Sequence, residues 1–295
     1  MKNCFPSRRP RVACLLLLAS LAVTAGCARS RGGGCVADEP WSRVVRPTHL
    51  RPTVTAASER DEIYGLAAMT VVFRDWQSDT GASSRGYNIG SVLVAPDGQI
   101  VAWGRNCNRR TGNGTQHGEV RLIQGYLAER RSYYLEHHVV YTSLEPCAQC
   151  AGMMVLAKVG RVVYAQTDPD YGKAMERLGL DSRALPDSRG YRPYPRAAAS
   201  EHGHFAAAQE LDAAMAAESA RPDRRALVEW LASSEAREIY RRAAERLANM
   251  ATIFEENVAV LAHAREFVAS VPDHYVRRFP WDPPTAEALP VPASR

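Results

Sequence analysis

Two short motifs constrain this chain more than any other feature. The first is His117-Gly-Glu119, and the second is Pro146-Cys147-Ala-Gln-Cys150. Apolar residues recur at helical spacing after each motif, so both are predicted at the start of a helix. Two cysteines three positions apart lie on one face of a helix. The fold must therefore bring two helix starts together if the imidazole and the two thiols are to meet.

The residue types in these motifs predict a zinc site. The partial positive charge at a helix start favours cysteine thiolates, the form that binds metal. Together with a neutral nitrogen of His117, Cys147 and Cys150 supply three ligands and leave one tetrahedral position of Zn²⁺ for water. A catalytic zinc keeps such a position, whereas a structural zinc is closed by a fourth side chain. The alternatives to a catalytic zinc are a closed structural site and a redox cysteine pair.

Glu119 gives the site a chemical role. Two positions after His117 it cannot easily bind the same ion, but it can reach the water on the metal and move its protons. His-x-Glu together with Pro-Cys-x-x-Cys is the signature of zinc-dependent base deaminases. We therefore expect a hydrolytic deaminase of an amino-substituted nucleobase that releases ammonia, with Glu119 as its catalytic residue.

A longer stretch resembles a known family. The segments Thr142–Gly152 and Arg161–Tyr164, followed by Asp168-Pro169, resemble the tRNA adenosine deaminase and guanine deaminase branch of the cytidine deaminase-like superfamily. The similarity covers about residues 62–173. It implies a three-layer α/β/α sheet, and it implies that Asn106, at the end of the second strand, contacts the base or ribose. It also leaves a homodimer open, because members of the superfamily are commonly dimers or larger.

The chain departs from that branch in four places. Gly118 stands where the branch commonly has Ala, and the loop Arg109–Thr115 lacks the usual Asp-Pro before the histidine. The C-terminal strand and helix of the family are not recognisable beyond Leu180, and the long tail has no counterpart.

Hydrophobic periodicity outlines the elements around the motifs. Helices are predicted over Glu62–Trp76, His117–Arg131 and Cys147–Lys158, and strands over Tyr87–Val94, Gln99–Trp103, His137–Ser143 and Arg161–Gln166. This alternation predicts an α/β fold with helices on both faces of the sheet, in a zinc deaminase domain at residues 58–195.

The remainder, residues 196–295, is predicted to be a helical C-terminal extension. Its apolar residues between Glu235 and Ser270 alternate steps of four and three, which predicts a single long helix with one apolar stripe. A helix packed on the deaminase core is favoured over a dimerising coiled coil, although both show the same stripe.

The N-terminus is typical of an export signal. A basic stretch through Arg11 precedes the apolar run Val12–Val23 and then Thr-Ala-Gly before Cys27. We expect a lipoprotein signal peptide at residues 1–26, lipid on Cys27, a tether at residues 27–57 and a location on the membrane of a bacterial cell envelope. The alternative is an ordinary signal peptide that leaves Cys27 free. A disulfide between Cys35 and Cys107 is disfavoured, because Cys35 lies in the tether.

These expectations leave three functions open. The leader carries four of the net five positive charges, so composition does not favour a polymer substrate. A small base, nucleoside or nucleotide is the leading substrate, since an exported enzyme does not ordinarily meet cytoplasmic tRNA. The second hypothesis is a secreted nucleic-acid-editing effector, which requires a basic groove near Asn106 built from Arg105, Arg109, Arg110 and Arg121. The third is an inert zinc-stabilised envelope lipoprotein.

Overall fold

The computed structural model describes residues 53–184, 190–194 and 199–283. The predicted signal peptide, Cys27, Cys35 and most of the tether lie outside the described residues. Within these ranges, none of the helices combines the length and the apolar character needed to cross a membrane.

Five strands form one mixed sheet in the order β2-β1-β3-β4-β5. The predicted hairpin consists of β1 (Gly90–Val94) and the antiparallel β2 (Ile100–Arg105), joined at the Pro-Asp-Gly turn. On the other side of β1 lies the antiparallel β3 (Val139–Thr142), which pairs in parallel with β4 (Arg161–Tyr164). Because β3 and β4 are parallel, the chain leaves both strands at the same edge of the sheet.

Side chains of each strand alternate between two hydrophobic clusters, because successive residues of a strand point to opposite faces. Val92 and Tyr141 belong to one cluster, while Leu93 and Val140 belong to the other. The first cluster packs against α1 (Ala56–Phe73), and the second against α2 (Gly118–Arg130), α3 (Ala148–Leu156) and α4 (Ala174–Leu178). This arrangement confirms the expected three-layer α/β/α architecture.

The sheet continues beyond residue 195, where we expected the deaminase domain to end. Strand β5 (Ala199–His202) pairs in parallel with β4, and α5 (Ala206–Ser219) follows it. The C-terminal strand and helix of the family were not recognisable in the sequence. For the strand the reason is that Ala-Ser-Glu-His has no β-branched residue, no Phe, Tyr or Trp, and no apolar alternation. The hydrogen bonds to β4, rather than a local preference of these four residues, hold this segment in the strand conformation.

The expected single helix over residues 235–270 is wrong. Two helices, α7 (Ser234–Asn249) and α8 (Val258–Ser270), are separated at Met250, whose backbone is extended. The turn between them is held by the Glu59 carboxylate, which accepts hydrogen bonds from the backbone N–H groups of Ile253 and Phe254. The apolar stripe continues across the break, because both helices pack on the same cluster as α1.

The extension thus packs on the deaminase core, as favoured over a coiled coil, and the described residues form one compact unit. Between α5 and α7 lies one further short helix, α6 (Leu227–Trp230). Its Trp230 is fully buried in the cluster shared with α1.

Candidate metal centre and active site

The structure brings together the three predicted zinc ligands. His117 lies directly before α2, Cys147 directly before α3, and Cys150 in the first turn of α3. His117 Nδ1 is 3.6 Å from Cys147 Sγ and 3.5 Å from Cys150 Sγ, and the two sulfurs are 3.7 Å apart. A tetrahedral zinc with Zn–S of about 2.3 Å and Zn–N of about 2.0 Å requires separations of about 3.8 Å for S···S and about 3.5 Å for N···S. The donor set therefore fits Zn²⁺ closely.

Within the described part of the chain, the cluster of metal-binding side chains has these three members and no fourth. Cys107 is a buried free thiol outside the cluster. Three protein ligands are typical of a zinc that takes part in chemistry.

The surroundings of the cluster favour a thiolate at Cys147. The hydrogen bond from Cys150 and the neighbouring His117 act against burial and lower the pKa of Cys147 to about 3. The contact with Cys147 in turn raises the pKa of His117. The same contact with Cys147 raises the pKa of Cys150, so a metal bound by all three residues would displace the protons of His117 and Cys150.

Glu119 lies in the first turn of α2 and is 3% exposed. Its Oε1 accepts a hydrogen bond from Thr142 Oγ1 at 3.3 Å, whereas its Oε2 has no partner among the described residues. Burial raises the pKa of Glu119, and the nearby His117 offsets that increase only in part. The carboxyl group is thus held at one oxygen and free at the other, as proton transfer to and from a bound molecule requires.

Glycine lets α2 approach the sheet. A Cβ at Gly104 in β2 would lie 2.0 Å from the carbonyl oxygen of Gly118, and a Cβ at Gly118 would lie 3.1 Å from that of Gly104. The second contact is tight rather than impossible. Glycine at position 118, where the related branch commonly has alanine, therefore allows a closer approach of the helix start to β2.

Asn106 follows β2 and lies behind the start of α2. Its Oδ1 accepts the backbone N–H of Gly118 at 2.6 Å, while its Nδ2 is buried and has no partner among the described residues. The side chain is fully buried and is not one of those that line the pocket. Its expected contact with the substrate stays a prediction.

A pocket of about 390 Å³ opens beside the metal ligands, within the range of small-molecule sites. His117, Glu119 and Cys147 line it, together with side chains from other elements: Tyr87, Ile89, Leu144, Glu145, Asp168, Asp170, Tyr171, Ala226, Leu227 and Val228. Two aromatic residues, Tyr87 and Tyr171, are thus among the side chains that line the pocket.

Two of the pocket carboxylates are tied to the backbone. Glu145 accepts the N–H groups of Asp168 and Lys173 in the loop after β4. Asp168 Oδ1 accepts those of Asp170 and Tyr171. These bonds fix the loop after β4 against the loop after β3, where Cys147 lies.

The arginines expected near Asn106 do not form a basic groove. Arg105 is buried, lies 3.5 Å from a carboxylate oxygen of Asp75 and donates to backbone carbonyl groups. Arg121 is buried and donates to both carboxylate oxygens of Asp282. Their charges are therefore directed at carboxylates inside the protein rather than at a ligand.

Arg109 and Arg110 have no carboxylate partner among the described residues. Their guanidinium groups stack over the rings of Tyr87 and Tyr275, at 5.8 Å and 5.5 Å from the ring centroids. Two cations at consecutive positions of one turn, residues 108–112, do not amount to the groove that a nucleic-acid strand would need.

Sequence reasoning missed two parts of the site. Thr142 at the end of β3 contacts Glu119 on α2, and only the packing of α2 on the sheet brings the two side chains together. The segment 226–228 lines the pocket from α6, about eighty residues after the last motif residue. Neither carries a local signal, since both are common residue types without a distinctive spacing.

Comparison with known proteins identifies the same region. Residues 68–166, about a third of the chain, match the model of the cytidine and deoxycytidylate deaminase zinc-binding region. A tRNA-specific adenosine deaminase of Bacillus subtilis is 36% identical over 84 residues, which cover 28% of this chain and 52% of the relative. A tRNA(Ile)-lysidine synthase of Deinococcus radiodurans is 35% identical over 105 residues, which cover 36% of this chain and 17% of the relative.

The chain therefore spans between about a sixth and about half of the length of these two curated relatives. Among solved structures, a guanine deaminase from Bacillus subtilis is 26% identical, with 42% of this chain and 75% of that chain covered and a TM-score of 0.31. The matched region contains all three zinc ligands and Glu119. With its zinc-binding geometry and its three-layer sheet, residues 68–166 carry a zinc-binding region of the cytidine and deoxycytidylate deaminase type, which confirms the resemblance to the cytidine deaminase-like superfamily for this part of the chain.

Proposed function

We propose that this chain is a zinc-dependent hydrolytic deaminase that acts on an amino-substituted nucleobase, free or as a nucleoside or nucleotide, and releases ammonia. One observation carries the proposal: the unpartnered Oε2 of the buried Glu119 lies beside a three-ligand zinc set, in a pocket large enough for a base.

Zn²⁺, when bound by His117, Cys147 and Cys150, supplies a Lewis acid that lowers the pKa of water toward about 7. Glu119 accepts a proton from the attacking water and donates it to the ring nitrogen next to the amine-bearing carbon. Glu119 then carries the second water proton to the exocyclic amine. The C–N bond breaks, ammonia leaves, and the water oxygen remains as the carbonyl.

Two other side chains assist in this scheme. Thr142 holds Oε1 of Glu119, so that Oε2 is the oxygen that faces the reacting groups. Asn106 accepts the N–H of Gly118 and so holds the start of α2 in place, whereas its contact with the substrate stays a prediction, because the buried side chain does not line the pocket.

A small substrate fits the pocket better than a polymer. Four carboxylates line it, and no Lys or Arg is among the lining residues. A phosphate backbone would meet like charge there, whereas a neutral base would not. The curated relatives named as tRNA-specific deaminases make single-stranded nucleic acid the alternative substrate.

The location at a bacterial membrane is proposed from the leader sequence alone. Mass spectrometry of the mature protein tests it, with a lipid on Cys27 expected at the N-terminus. A mature N-terminus elsewhere, or an unmodified Cys27, would contradict this location. Light scattering of the purified mature chain tests the homodimer.

The experiment on function measures ammonia release by the zinc-loaded mature chain from adenine, guanine and cytosine, their nucleosides and nucleotides, and single-stranded oligonucleotides. We expect release from at least one monomer, and a loss of at least about 10²-fold in kcat in Glu119→Gln with zinc retained. No release from any compound by the parent protein would favour the inert zinc-stabilised lipoprotein.

A further inference from the structure

The C-terminal extension reaches the pocket through α6. Leu227 is buried and Val228 half-buried, and both line the pocket together with Ile89 and Leu144. We call these four residues the apolar wall. Ile89, Leu144 and Leu227 belong to one hydrophobic cluster. Helix α6 therefore extends the apolar surface that Ile89 and Leu144 present to the pocket.

Hydrogen bonds tie α6 to the loop before β1. Asn88 Nδ2 donates to the carbonyl oxygen of Leu231, directly after α6, and Asn88 is itself buried and bonded to Gln77. Trp230 and Leu231 are both fully buried. The position of Leu227 relative to Ile89 is thus set by buried contacts on both segments.

The other end of α6 is fixed as well. The backbone N–H of Ala226 donates to Glu229, one turn later. The preceding Arg225 donates from its backbone and its guanidinium group to Glu218 in the last turn of α5. The segment that presents Leu227 to the pocket is therefore anchored before, within and after α6.

These observations divide the pocket into two kinds of lining. The metal ligands and Glu119 lie within residues 68–166, which match the deaminase family model, whereas Leu227 and Val228 lie outside that match. Chemistry thus comes from the matched region, and part of the surface available to the body of the substrate comes from the extension.

We infer that Leu227 and Val228 determine substrate specificity by packing against the flat face of a monomeric, uncharged heterocyclic base, an inference that rests on the proposed function. An apolar contact of this kind favours the binding of an aromatic ring and does not stabilise a charged phosphate backbone. The extension, rather than the motif-bearing region, then selects base monomers over strands.

The test compares Leu227→Ala with Leu247→Ala in the zinc-loaded mature chain. Leu247 is an equally buried leucine on α7 that does not line the pocket. Equilibrium dialysis in the Glu119→Gln background measures the Kd for adenine, guanine and cytosine without turnover, and steady-state assays with Glu119 intact give KM and kcat for whichever is deaminated. We expect Leu227→Ala to raise Kd and KM about tenfold with kcat within about twofold, and Leu247→Ala to change neither.

The outcomes separate the two proposals. Base binding that weakens in Leu227→Ala, in a parent that releases no ammonia, would support the apolar wall and count against the deaminase. Deamination by the parent with Kd unchanged in Leu227→Ala would overturn the apolar wall alone. Absence of base binding by the parent, or preference for a single-stranded oligonucleotide over every monomer, would also overturn it. Should Leu227→Ala not fold, Val228→Ala replaces it under the same criteria, with a smaller increase in Kd expected.

Discussion

The two helical layers of this molecule are built differently. The layer of α2, α3 and α4 carries every zinc ligand and the proposed catalytic carboxylate, and short motifs mark it in the sequence. The layer of α1, α5, α7 and α8 carries no motif and holds together through a large apolar cluster. Among the residues that the structure describes, its contribution to the pocket comes from α6, which lies between α5 and α7 in the chain.

Metal binding and enclosure of the pocket therefore depend on different parts of the chain. Metal binding needs a few side chains at helix starts, so it depends on a short stretch of chain. Enclosure of a pocket needs surfaces from distant segments. Buried polar contacts, such as Arg121 on α2 with Asp282 near the C-terminus, then join the segments.

Zinc removal gives the largest expected effect and separates the two layers. We expect chelation to reduce ammonia release by at least about 10³-fold, because activation of water is lost with the metal. Amide protection measured by hydrogen exchange should fall at the starts of α2 and α3 and persist in α1 and α7. Cys107→Ala, a buried cysteine outside the cluster, should retain its zinc and its activity. Equal loss of protection in both layers would remove the distinction.

Breaking the Arg121–Asp282 pair tests the connection between α2 and the C-terminal segment. Arg121→Ala leaves a carboxylate buried without its partner, so we expect a loss of about 3–5 kcal/mol in the free energy of unfolding. Chemical denaturation of the zinc-loaded protein measures it. The exposed Arg130 on the same helix provides the control, and Arg130→Ala should stay within about 0.5 kcal/mol. A similar result for both variants would show that the C-terminal segment does not depend on this pair.

Glu59 tests the interior of the layer without motifs. Its carboxylate accepts hydrogen bonds from Ile253, Phe254 and Asn257, so it joins α1 to the turn before α8. Glu59→Gln should lower the free energy of unfolding by about 1–3 kcal/mol and leave zinc content unchanged. The exposed Glu266 on α8 serves as the control, and Glu266→Gln should have no measurable effect. Loss of zinc in Glu59→Gln would mean that the two layers are more strongly coupled than their contacts indicate.

The smallest expected effect is a pH dependence from the same residue. Burial alone would raise the pKa of Glu59, but the hydrogen bonds from Ile253, Asn257 and Phe254 outweigh it and lower the pKa. A lowered pKa in the folded state contributes stability above the unfolded-state pKa, and this contribution disappears as the pH falls through the folded-state value. Between about pH 6 and about pH 3, the Tm of the parent should therefore fall more steeply than that of Glu59→Gln. Because both proteins lose zinc in acid, the difference between the two slopes isolates Glu59, and parallel slopes would contradict the assignment.

Much of the motif-bearing layer could be predicted, because its signals are local. The helices α2 and α3, the hairpin and the strands β3 and β4 all follow from periodicity within a dozen residues. Strand β5 could not be predicted, since Ala-Ser-Glu-His becomes a strand only through its pairing with β4. The break between α7 and α8 was missed because the apolar stripe repeats on both sides of it.

The amino-acid sequence is sufficient to identify the metal site, which consists of one histidine and two cysteines at helix starts, with a glutamate two positions after the histidine. The spacing of residues along a helix fixes which side chains share a face, so these positions carry the chemistry wherever the helices lie. The residues that surround these side chains are known only from the way in which distant segments pack in the folded protein. Arg105 and Arg121, which the sequence suggested for nucleic-acid binding, are buried beside the carboxylates of Asp75 and Asp282. The fold also brings Leu227 to the pocket, although the motif residues end at Cys150 in the sequence. Contacts between residues far apart in the chain depend on how whole elements pack, and no local spacing encodes that packing.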